Sequence, residues 1–317
     1  MKLLLESSSA QYKENVMRRI IIPMLCLITS ITLFGCEQKT SKTTDASKSG
    51  ATAAEAKIKE AKSIALEAYV YGYSLLTTEV TRVQMSNVPK QEDLKSPMGQ
   101  FTNVPRYPPA GYRGVSAPNA DTLYSIAWVD LAEPVVFSHP DMGKRLYLFE
   151  MVDLWMTIVQ TPGSRPNGGK AANYLLTGPN WRGEVPKGMT QIAFPTRYAV
   201  ILGRTYADGT PSDYKLVNQL QAKYSLIPLA AFGKKFKYEA PAVNPDPGFS
   251  MTDKPQDVIL GMNTAAYFNR MANLMCKDAP TAPEDAVILS KMASIGVEPC
   301  KPFDISKLDE DVQNAIK

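Results

Sequence analysis

The sequence has one histidine, and it lacks the short motifs that mark several large classes of enzyme. The histidine is His139 in a chain of 317 residues, whereas a catalytic zinc site needs several protein ligands, commonly histidines. No G-x-S-x-G elbow, G-x-G-x-x-G loop or P-loop occurs, so we expect no serine hydrolase, no nucleotide cofactor and no metal site. His139 precedes Pro140, and we predict that it lies in a turn near the surface.

Charge of one sign and cysteine are also scarce. The chain has 35 lysines and arginines against 31 aspartates and glutamates, a net charge of +4. No basic patch results, so we do not expect nucleic acid as a partner. The four cysteines are too few for a disulfide scaffold. The chain is long enough to bury a hydrophobic core, and its length predicts about two domains.

The N-terminus predicts export and a lipid anchor. Arg18 and Arg19 precede an apolar run at residues 20–34, which is shorter than the roughly 20 residues of a membrane-spanning helix and typical of a signal peptide. The run ends in Leu33-Phe34-Gly35-Cys36, which resembles the lipobox of bacterial lipoproteins. We predict that residues 1–35 are removed, with Met17 as the start, and that Cys36 is acylated. An uncleaved membrane anchor or a buried apolar segment is the alternative.

Residues 36–54 predict a flexible tether after the lipid. They are rich in Ser, Thr, Lys and Ala and have no apolar periodicity, a composition that cannot bury enough surface to fold alone. Glu37, rather than aspartate, follows the cysteine. By analogy with lipoprotein sorting in Gram-negative bacteria, this residue favours the outer membrane, facing the periplasm.

The folded part begins with a helix. Apolar residues recur every three or four positions across residues 55–84, which is the spacing of one apolar helix face. Gly72 lies in its middle, where glycine costs roughly 1 kcal/mol relative to alanine, and we expect a close packing neighbour there. Residues 87–118 contain many prolines and glycines and predict a long irregular segment.

Short apolar runs separated by turn residues then predict an antiparallel β-sandwich. The predicted strands are residues 124–131, 135–137, 145–152, 155–161, 173–177, 190–194 and 198–206. Helical periodicity returns at residues 213–224, with Leu216, Val217 and Leu220 expected to face inward, and again near residues 255–276, 283–295 and 305–316. Gly296 suits a left-handed helix C-cap. The predicted class is α+β: a sandwich domain with its N-terminal helix at residues 55–230, and a small helical subdomain at 231–317.

Several ordered motifs in the sandwich region resemble one bacterial family. They are Asn119-Ala120-Asp121-Thr122-Leu123-Tyr124-Ser125, Pro140-Asp141, Arg145-Leu146-Tyr147, Asp153, Gly163-Ser164-Arg165, Gly178-Pro179-Asn180-Trp181-Arg182-Gly183 and Gly203-Arg204. These are similar to motifs of domain of unknown function 1254, over roughly residues 62–230. The resemblance implies a β-sandwich with a helical subdomain but no established reaction. Relatives usually continue into domain of unknown function 1214, which we do not find before Lys317.

Paired carboxylates are the remaining route to general acid–base chemistry. Glu150 and Asp153, or Asp121 and Asp153, are pairs that the fold could bring together, as in glycoside hydrolases. The alternative is that these carboxylates accept backbone N–H bonds at turns and strand ends.

The predicted ligand-binding residues are Asn119, Asp121, Tyr124, Asp153, Arg165, Trp181 and Arg204. Short strands that end together would bring acid, tyrosine and arginine side chains to one rim, where arginine can bind a carboxylated or polyhydroxylated ligand. Trp181 lies in a predicted turn, which frees an aromatic ring for a ligand. The alternative is structural, because Asp–Arg pairs also tie turns together and tryptophans such as Trp128 also fill cores.

Cys276 and Cys300 remain as thiols in an oxidising compartment, which favours a disulfide. A helix of about 13 residues between them carries the chain roughly 20 Å away, and residues 296–300 can return only about 16 Å. The bond is therefore feasible only if the return is nearly straight or the helices cross steeply.

Three functions stay open at this stage. The first is an envelope lipoprotein that binds a small molecule or a glycan in a pocket at the sandwich edge. The second is a hydrolase or lyase that uses carboxylate, tyrosine and arginine groups. The third is an assembly module whose partner is a separate chain carrying the second domain.

Overall fold

The computed structural model describes residues 45–112 and 119–316. The chain divides into two units, Met1–Ser49 and Gly50–Lys317, and every element after the first helix belongs to the second unit. The predicted signal peptide and Cys36 lie outside the described residues. None of the helices within those residues is long and apolar enough to cross a membrane.

The first helix, α1 (Asp45–Ser86), is longer than the sequence predicted. The expectation of an irregular tether up to residue 54 is wrong from Asp45 onward. Residues 51–56 contain four alanines, the residue with the highest helix propensity, so helix formation there does not need an apolar face of its own.

Helix α1 packs on the C-terminal helices, although the sequence grouped it with the strands in one domain. These are α4 (Pro255–Leu260), α5 (Thr264–Lys277), α6 (Asp285–Ser294) and α7 (Glu310–Ile316). Leu75, Leu76 and Val80 of α1 are fully buried in one apolar cluster with Met271 and Met275 of α5. A Cβ added at Gly72 would collide with the Met271 sulfur, so the expected close neighbour of this glycine is confirmed.

Two facing sheets form the rest of the body. The five-stranded sheet has the order β1 (Thr102–Asn103), β2 (Thr122–Asp130), β8 (Tyr198–Tyr206), β4 (Tyr147–Asp153) and β5 (Ile158–Gln160). The four-stranded sheet has the order β7 (Thr190–Ala193), β6 (Ala172–Thr177), β3 (Val135–His139) and β9 (Ser225–Pro228). Helix α2 (Ser164–Asn167) follows β5, and α3 (Pro211–Gln221) connects β8 to β9.

The predicted α+β sandwich is therefore present, with local differences. All described strand pairs are antiparallel except β6 with β7, which is parallel. The run at residues 155–161 forms a strand only at Ile158–Gln160, because Asp153 begins a tight turn there. Leu216 was expected to face inward, but it is 53% exposed, while Val217 is fully buried.

An aromatic cluster fills the space between the sheets, and it contains His139. The prediction of a surface turn was wrong: His139 is the last residue of β3 and only 2% exposed. It lies on the same strand face as Phe137, because alternate residues of a strand share a face, and its ring is 5.0 Å from that of Tyr147. Burial lowers the pKa of its imidazole below the ordinary value.

A disulfide joins Cys276 to Cys300, with their Cα atoms 4.6 Å apart. After α6 the chain turns at Gly296, which has the predicted left-handed conformation (φ 80°). The loop then runs back to α5, where the Cys300 N–H donates to the Ala272 carbonyl at 3.2 Å. The segment between α6 and Cys300 therefore returns far enough to α5 for the disulfide to form.

Candidate functional site

The outer face of the five-stranded sheet, which points away from the aromatic cluster, carries two of the predicted site residues side by side. Tyr124 on β2 is the cross-strand partner of Arg204 on β8. The Arg204 guanidinium lies 5.3 Å from the centre of the Tyr124 ring, a distance at which a cation is attracted to the ring face.

Glu150 on β4, which the sequence analysis had considered only as half of a carboxylate pair, completes this group. Its carboxylate is 3.1 Å from the Arg204 guanidinium, and both side chains are partly exposed. The Arg204 Nε–H is buried and has no hydrogen-bond partner. The hydrogen-bonding capacity of the guanidinium is therefore only partly used, because the Nε–H has no acceptor.

A cleft of about 420 Å³ lies between α1 and the same outer face. Its sheet wall begins one row from Tyr124 and Arg204, because residues two apart on a strand lie on the same face about 7 Å apart. Its lining is Tyr73, Ser74, Thr77, Thr78, Thr81 and Met85 of α1, Ile126, Trp128, Val200 and Leu202 of the sheet, and Met156.

The helix wall of the cleft is less polar than its sequence suggests. The Thr77 hydroxyl donates to the Tyr73 carbonyl at 2.6 Å, and the Thr81 hydroxyl donates to the Thr77 carbonyl at 2.7 Å. Hydroxyls that bond back to the preceding turn of their own helix are satisfied. These threonines therefore add little hydrogen-bonding capacity to the cleft.

Trp128 supplies the one polar group that the sheet wall contributes. The residue is 5% exposed, as expected for a core tryptophan, but it also lines the cleft. Its indole Nε1–H is buried without a hydrogen-bond partner. Indole nitrogens in protein interiors usually have a partner, so this donor distinguishes the cleft from ordinary packing. Trp128 is thus buried as a core residue and also faces the cleft, and a sequence cannot show which buried donors stay unpaired.

The other predicted residues near the start of β2 shape a turn. The Asn119 side-chain oxygen accepts from the N–H groups of Asp121 and Thr122, at 3.1 and 2.9 Å. Asp121 is exposed beside this turn. Both residues lie three to five positions before Tyr124 and so on the same end of the sheet.

Asp153 lies at the opposite end. Thr122 pairs with Tyr206, whereas Asp153 pairs with Ala199, and seven residues of β8 span about 23 Å. Asp153 is buried and accepts from the N–H groups of Trp155 and Thr157 at 2.9 and 2.8 Å. Burial raises the pKa of its carboxyl group, although the two N–H donors act in the opposite direction. The expected shared rim is therefore wrong for Asp153, whose observed contacts are those of a turn residue.

Arg165 and Trp181 lie on elements other than the strands of the Tyr124–Arg204 pair. Arg165 is exposed on α2, which follows the bridge between Gly163 and Leu148, the β4 residue that pairs with Arg204. Trp181 lies in a turn beyond β6 of the other sheet, where its N–H donates to the Gly178 carbonyl at 3.3 Å. The structure thus joins two of the seven predicted residues and places two more nearby.

The proposed carboxylate pairs do not form. Glu150 points to the outer face with Arg204, whereas Asp153 is buried in the turn that follows β4. Asp121 and Asp153 are separated by the length of β8. Within residues 45–112 and 119–316, no group of three or more His, Cys, Asp or Glu side chains could hold a metal ion.

Comparison with known proteins agrees with this architecture. Residues 98–228 match the family model described as protein of unknown function (DUF1254). The match covers 131 of the 317 residues. It begins before β1 and ends with β9, so both sheets of the sandwich fall within it, whereas α1 and the C-terminal helices lie outside. No curated protein matches the chain.

Among solved structures, the chain resembles the VPA0106 protein from Vibrio parahaemolyticus. The two share 23% sequence identity with a TM-score of 0.57, over 81% of this chain and 56% of the other. At this identity the likeness concerns the fold alone. The chain spans little more than half the length of that protein.

Proposed function

We propose that this protein is a lipid-anchored envelope protein that binds a small, largely apolar molecule carrying a carbonyl or carboxylate group. The observation that carries the proposal is the buried, unpartnered indole N–H of Trp128 in the wall of an otherwise apolar cleft. A bound carbonyl or carboxylate oxygen would give this donor the acceptor it lacks.

The volume and lining of the cleft support a ligand of ordinary metabolite size. Small-molecule pockets are commonly about 300–1,000 Å³, mostly apolar, with a few well-placed polar groups, and the cleft holds about 420 Å³. Burying an apolar chain against these walls supplies binding energy in proportion to the area covered. The second unpartnered donor, the Arg204 Nε–H, lies on the same sheet face about 13 Å along β8 from the row of Trp128, and favours an anionic end group.

The envelope location comes from the sequence alone. The leader that ends at Cys36 predicts export and acylation, and Glu37 favours the outer membrane on its periplasmic side. In that location the protein would meet small molecules that have already crossed the outer membrane.

Calorimetry and thermal shift on the Cys36→Ser form, which needs no detergent, test the binding proposal. We expect decanoate to bind and raise the melting temperature. Decylammonium has the same chain and no acceptor, and we expect it not to bind. Trp128→Phe keeps most of the ring and removes the N–H, so decanoate should bind about tenfold more weakly, as for loss of a hydrogen bond to a charged group.

Trp181→Phe is the matched control, because it makes the same chemical change in a turn outside the cleft. Its affinity for decanoate should equal that of the unchanged protein. Equal binding of decanoate and decylammonium, or equal affinity of both tryptophan variants, would show that the cleft does not select an acceptor group and would overturn the proposal.

An assembly module is the second candidate, and one surface feature favours it. Leu66 and Val70 are one helix turn apart on α1 and 65% and 66% exposed, so they form a small apolar stripe. A photo-crosslinking residue at Val70, compared with one at the exposed Lys62, tests it in cells. Specific crosslinks from position 70 to a chain with the second family domain would support assembly, and their absence would count against it.

A further inference from the structure

A second cavity opens where the edge strands of the two sheets face each other. It holds about 400 Å³ and is lined by residues of β1 and β9, the end of α3, and the segment that contains Phe236 and Tyr238. It is separate from the cleft under α1, which lies on the outer face of the five-stranded sheet. Either site can therefore exist without the other.

The lining of this edge cavity is uncharged and combines two kinds of side chain. Four residues carry side-chain amides, namely Gln91, Gln100, Asn103 and Gln221. Four others carry aromatic rings, namely Phe101, Tyr224, Phe236 and Tyr238. The ring of Phe236 is partly exposed. An ionic ligand would find no counter-charge among these side chains.

Two of the amides leave an acceptor unused. Gln221 is 2% exposed, and its amide nitrogen donates to the Tyr124 carbonyl at 3.1 Å and to the Ser125 hydroxyl at 3.2 Å. These two acceptors fix the orientation of the amide. The Gln221 Oε1 atom is then buried with no partner, and so is the Asn103 Oδ1 atom. Nearly all buried polar atoms in proteins have a partner, so such exceptions call for an explanation.

The chemistry of the two cavities is opposite. The cleft under α1 has one unpartnered N–H donor, that of Trp128, whereas the edge cavity has unpartnered carbonyl acceptors next to aromatic rings. A ligand of the edge cavity must be neutral, donate several hydrogen bonds, and present an apolar face to a ring. Saccharides meet all three requirements, because they have many hydroxyl donors and a C–H face that packs on aromatic side chains.

We propose that the edge cavity is a saccharide-binding site in which Asn103 and Gln221 accept hydrogen bonds from sugar hydroxyls and Phe236 packs against the sugar ring. A volume of about 400 Å³ accommodates one or two sugar residues. The site is independent of the apolar ligand proposed for the other cleft.

Saturation-transfer difference NMR on the full mature protein, with glucose, N-acetylglucosamine, maltose and cellobiose as probes, tests the proposal. At least one of them should bind with a dissociation constant below about 10 mM, the range of weak specific binding. Asn103→Leu removes one acceptor at similar size, and Phe236→Ala removes the partly exposed ring. Each should weaken binding about tenfold or more.

Val243→Ala is the control, since it truncates an exposed apolar side chain (41% exposed) in the same connecting segment but outside the cavity. It should bind as the unchanged protein does. If Asn103→Leu does not fold, Phe236→Ala still decides. Failure of all four sugars to bind, binding that is equal in the Phe236 and Val243 variants, or ordered water alone on the two acceptors in sugar-soaked crystals would each overturn the saccharide site.

Discussion

Arg145 binds Asp213 through two hydrogen bonds, at 2.9 and 2.6 Å, and so ties the start of β4 to the first turn of α3. Arg145 also donates to the Tyr206 carbonyl at 2.8 Å, at the end of β8. Both side chains are mostly buried. One arginine thus fixes three elements at the end of the sandwich near Asp121.

Arg145→Lys should lower the free energy of unfolding by about 1–2 kcal/mol, because lysine keeps the charge but not the two-point geometry. The hydrogen bonds from Arg145 hold the pKa of Asp213 below its ordinary value. Stability from this pair is therefore present above the unfolded-state pKa of about 3.9 and is lost as the pH falls through the lower folded-state value. Urea unfolding at pH 7 and pH 3 should show a smaller difference between wild type and variant at pH 3. A constant difference would contradict this assignment.

Gly72→Ala should destabilise the protein although alanine favours helices. A Cβ at this position would collide with the Met271 sulfur in a fully buried cluster, and overpacking a core costs about 1–3 kcal/mol. This exceeds the roughly 1 kcal/mol gained from helix propensity. In a Met271→Ala background the added methyl group has space, and Gly72→Ala should then stabilise. Denaturant titration of the four proteins measures the coupling, and equal effects in both backgrounds would refute the packing argument.

The Cys276–Cys300 disulfide should contribute about 3 kcal/mol, the value expected for a loop with a separation of 24 residues. Peptide mapping of denatured, unreduced protein should find the two cysteines in one linked fragment. A reducing agent should lower the melting temperature of the wild type but not of a Cys276→Ala, Cys300→Ala variant. Two free thiols in protein from the periplasm would contradict the bond.

Glu150→Gln should strengthen binding of a ligand with an acid group at each end. Glu150 partly neutralises Arg204 at 3.1 Å, and its removal frees the guanidinium for the second acid group of a ligand whose first group binds Trp128, about 13 Å away along β8. Exposed ion pairs contribute up to about 1 kcal/mol, so we expect a gain of about threefold for decanedioate and none for decanoate. Glu133→Gln, an exposed change in the turn after β2, is the control. Unchanged decanedioate affinity in Glu150→Gln would show that Arg204 takes no part in binding.

Cys36 should carry the lipid, although it lies outside the described residues. Cells fed a fatty-acid probe should label the wild type and not Cys36→Ser, and only the wild type should remain with the membrane after fractionation. Labelling of Cys276→Ala, Cys300→Ala protein should be unchanged, because it retains Cys36. Equal labelling of the wild type and Cys36→Ser would contradict the lipobox interpretation.

The strands were predictable because each is a short apolar run between turn residues. Tyr198–Tyr206 was predicted with both of its ends, and β2, β4, β6 and β7 within two residues. The very short edge strands were not: Thr102–Asn103 has no periodicity to detect, and Ser225–Pro228 follows a helix without a strong turn signal. The sequence predicts one helix over residues 255–276, whereas the structure has two, α4 and α5, separated at Gly261 and the N-cap Asn263. The apolar band continues on both sides of this break and therefore hides it in the sequence.

The site was less predictable than the fold. Sequence position suggested that Asp121 and Asp153 meet, since each adjoins a strand end, but the antiparallel register places them at opposite ends of β8. Tyr124 and Arg204 lie side by side on neighbouring strands, but their role in binding stays a prediction. The unpaired atoms of Trp128, Asn103 and Gln221 depend on the full hydrogen-bond arrangement, which no local pattern specifies.

The burial of His139 makes the sandwich core observable through a single residue. It is the only histidine of the chain, and it lies among the rings of Phe137, Tyr147, Phe149 and Tyr174. Ring currents from these neighbours shift its imidazole proton signals away from those of a free histidine, in a spectral region with no other histidine signals. One NMR signal thus reports whether the two sheets are closed on each other. Because burial lowers the pKa of this imidazole, the same signal should keep its neutral-form position to a lower pH than that of a free histidine.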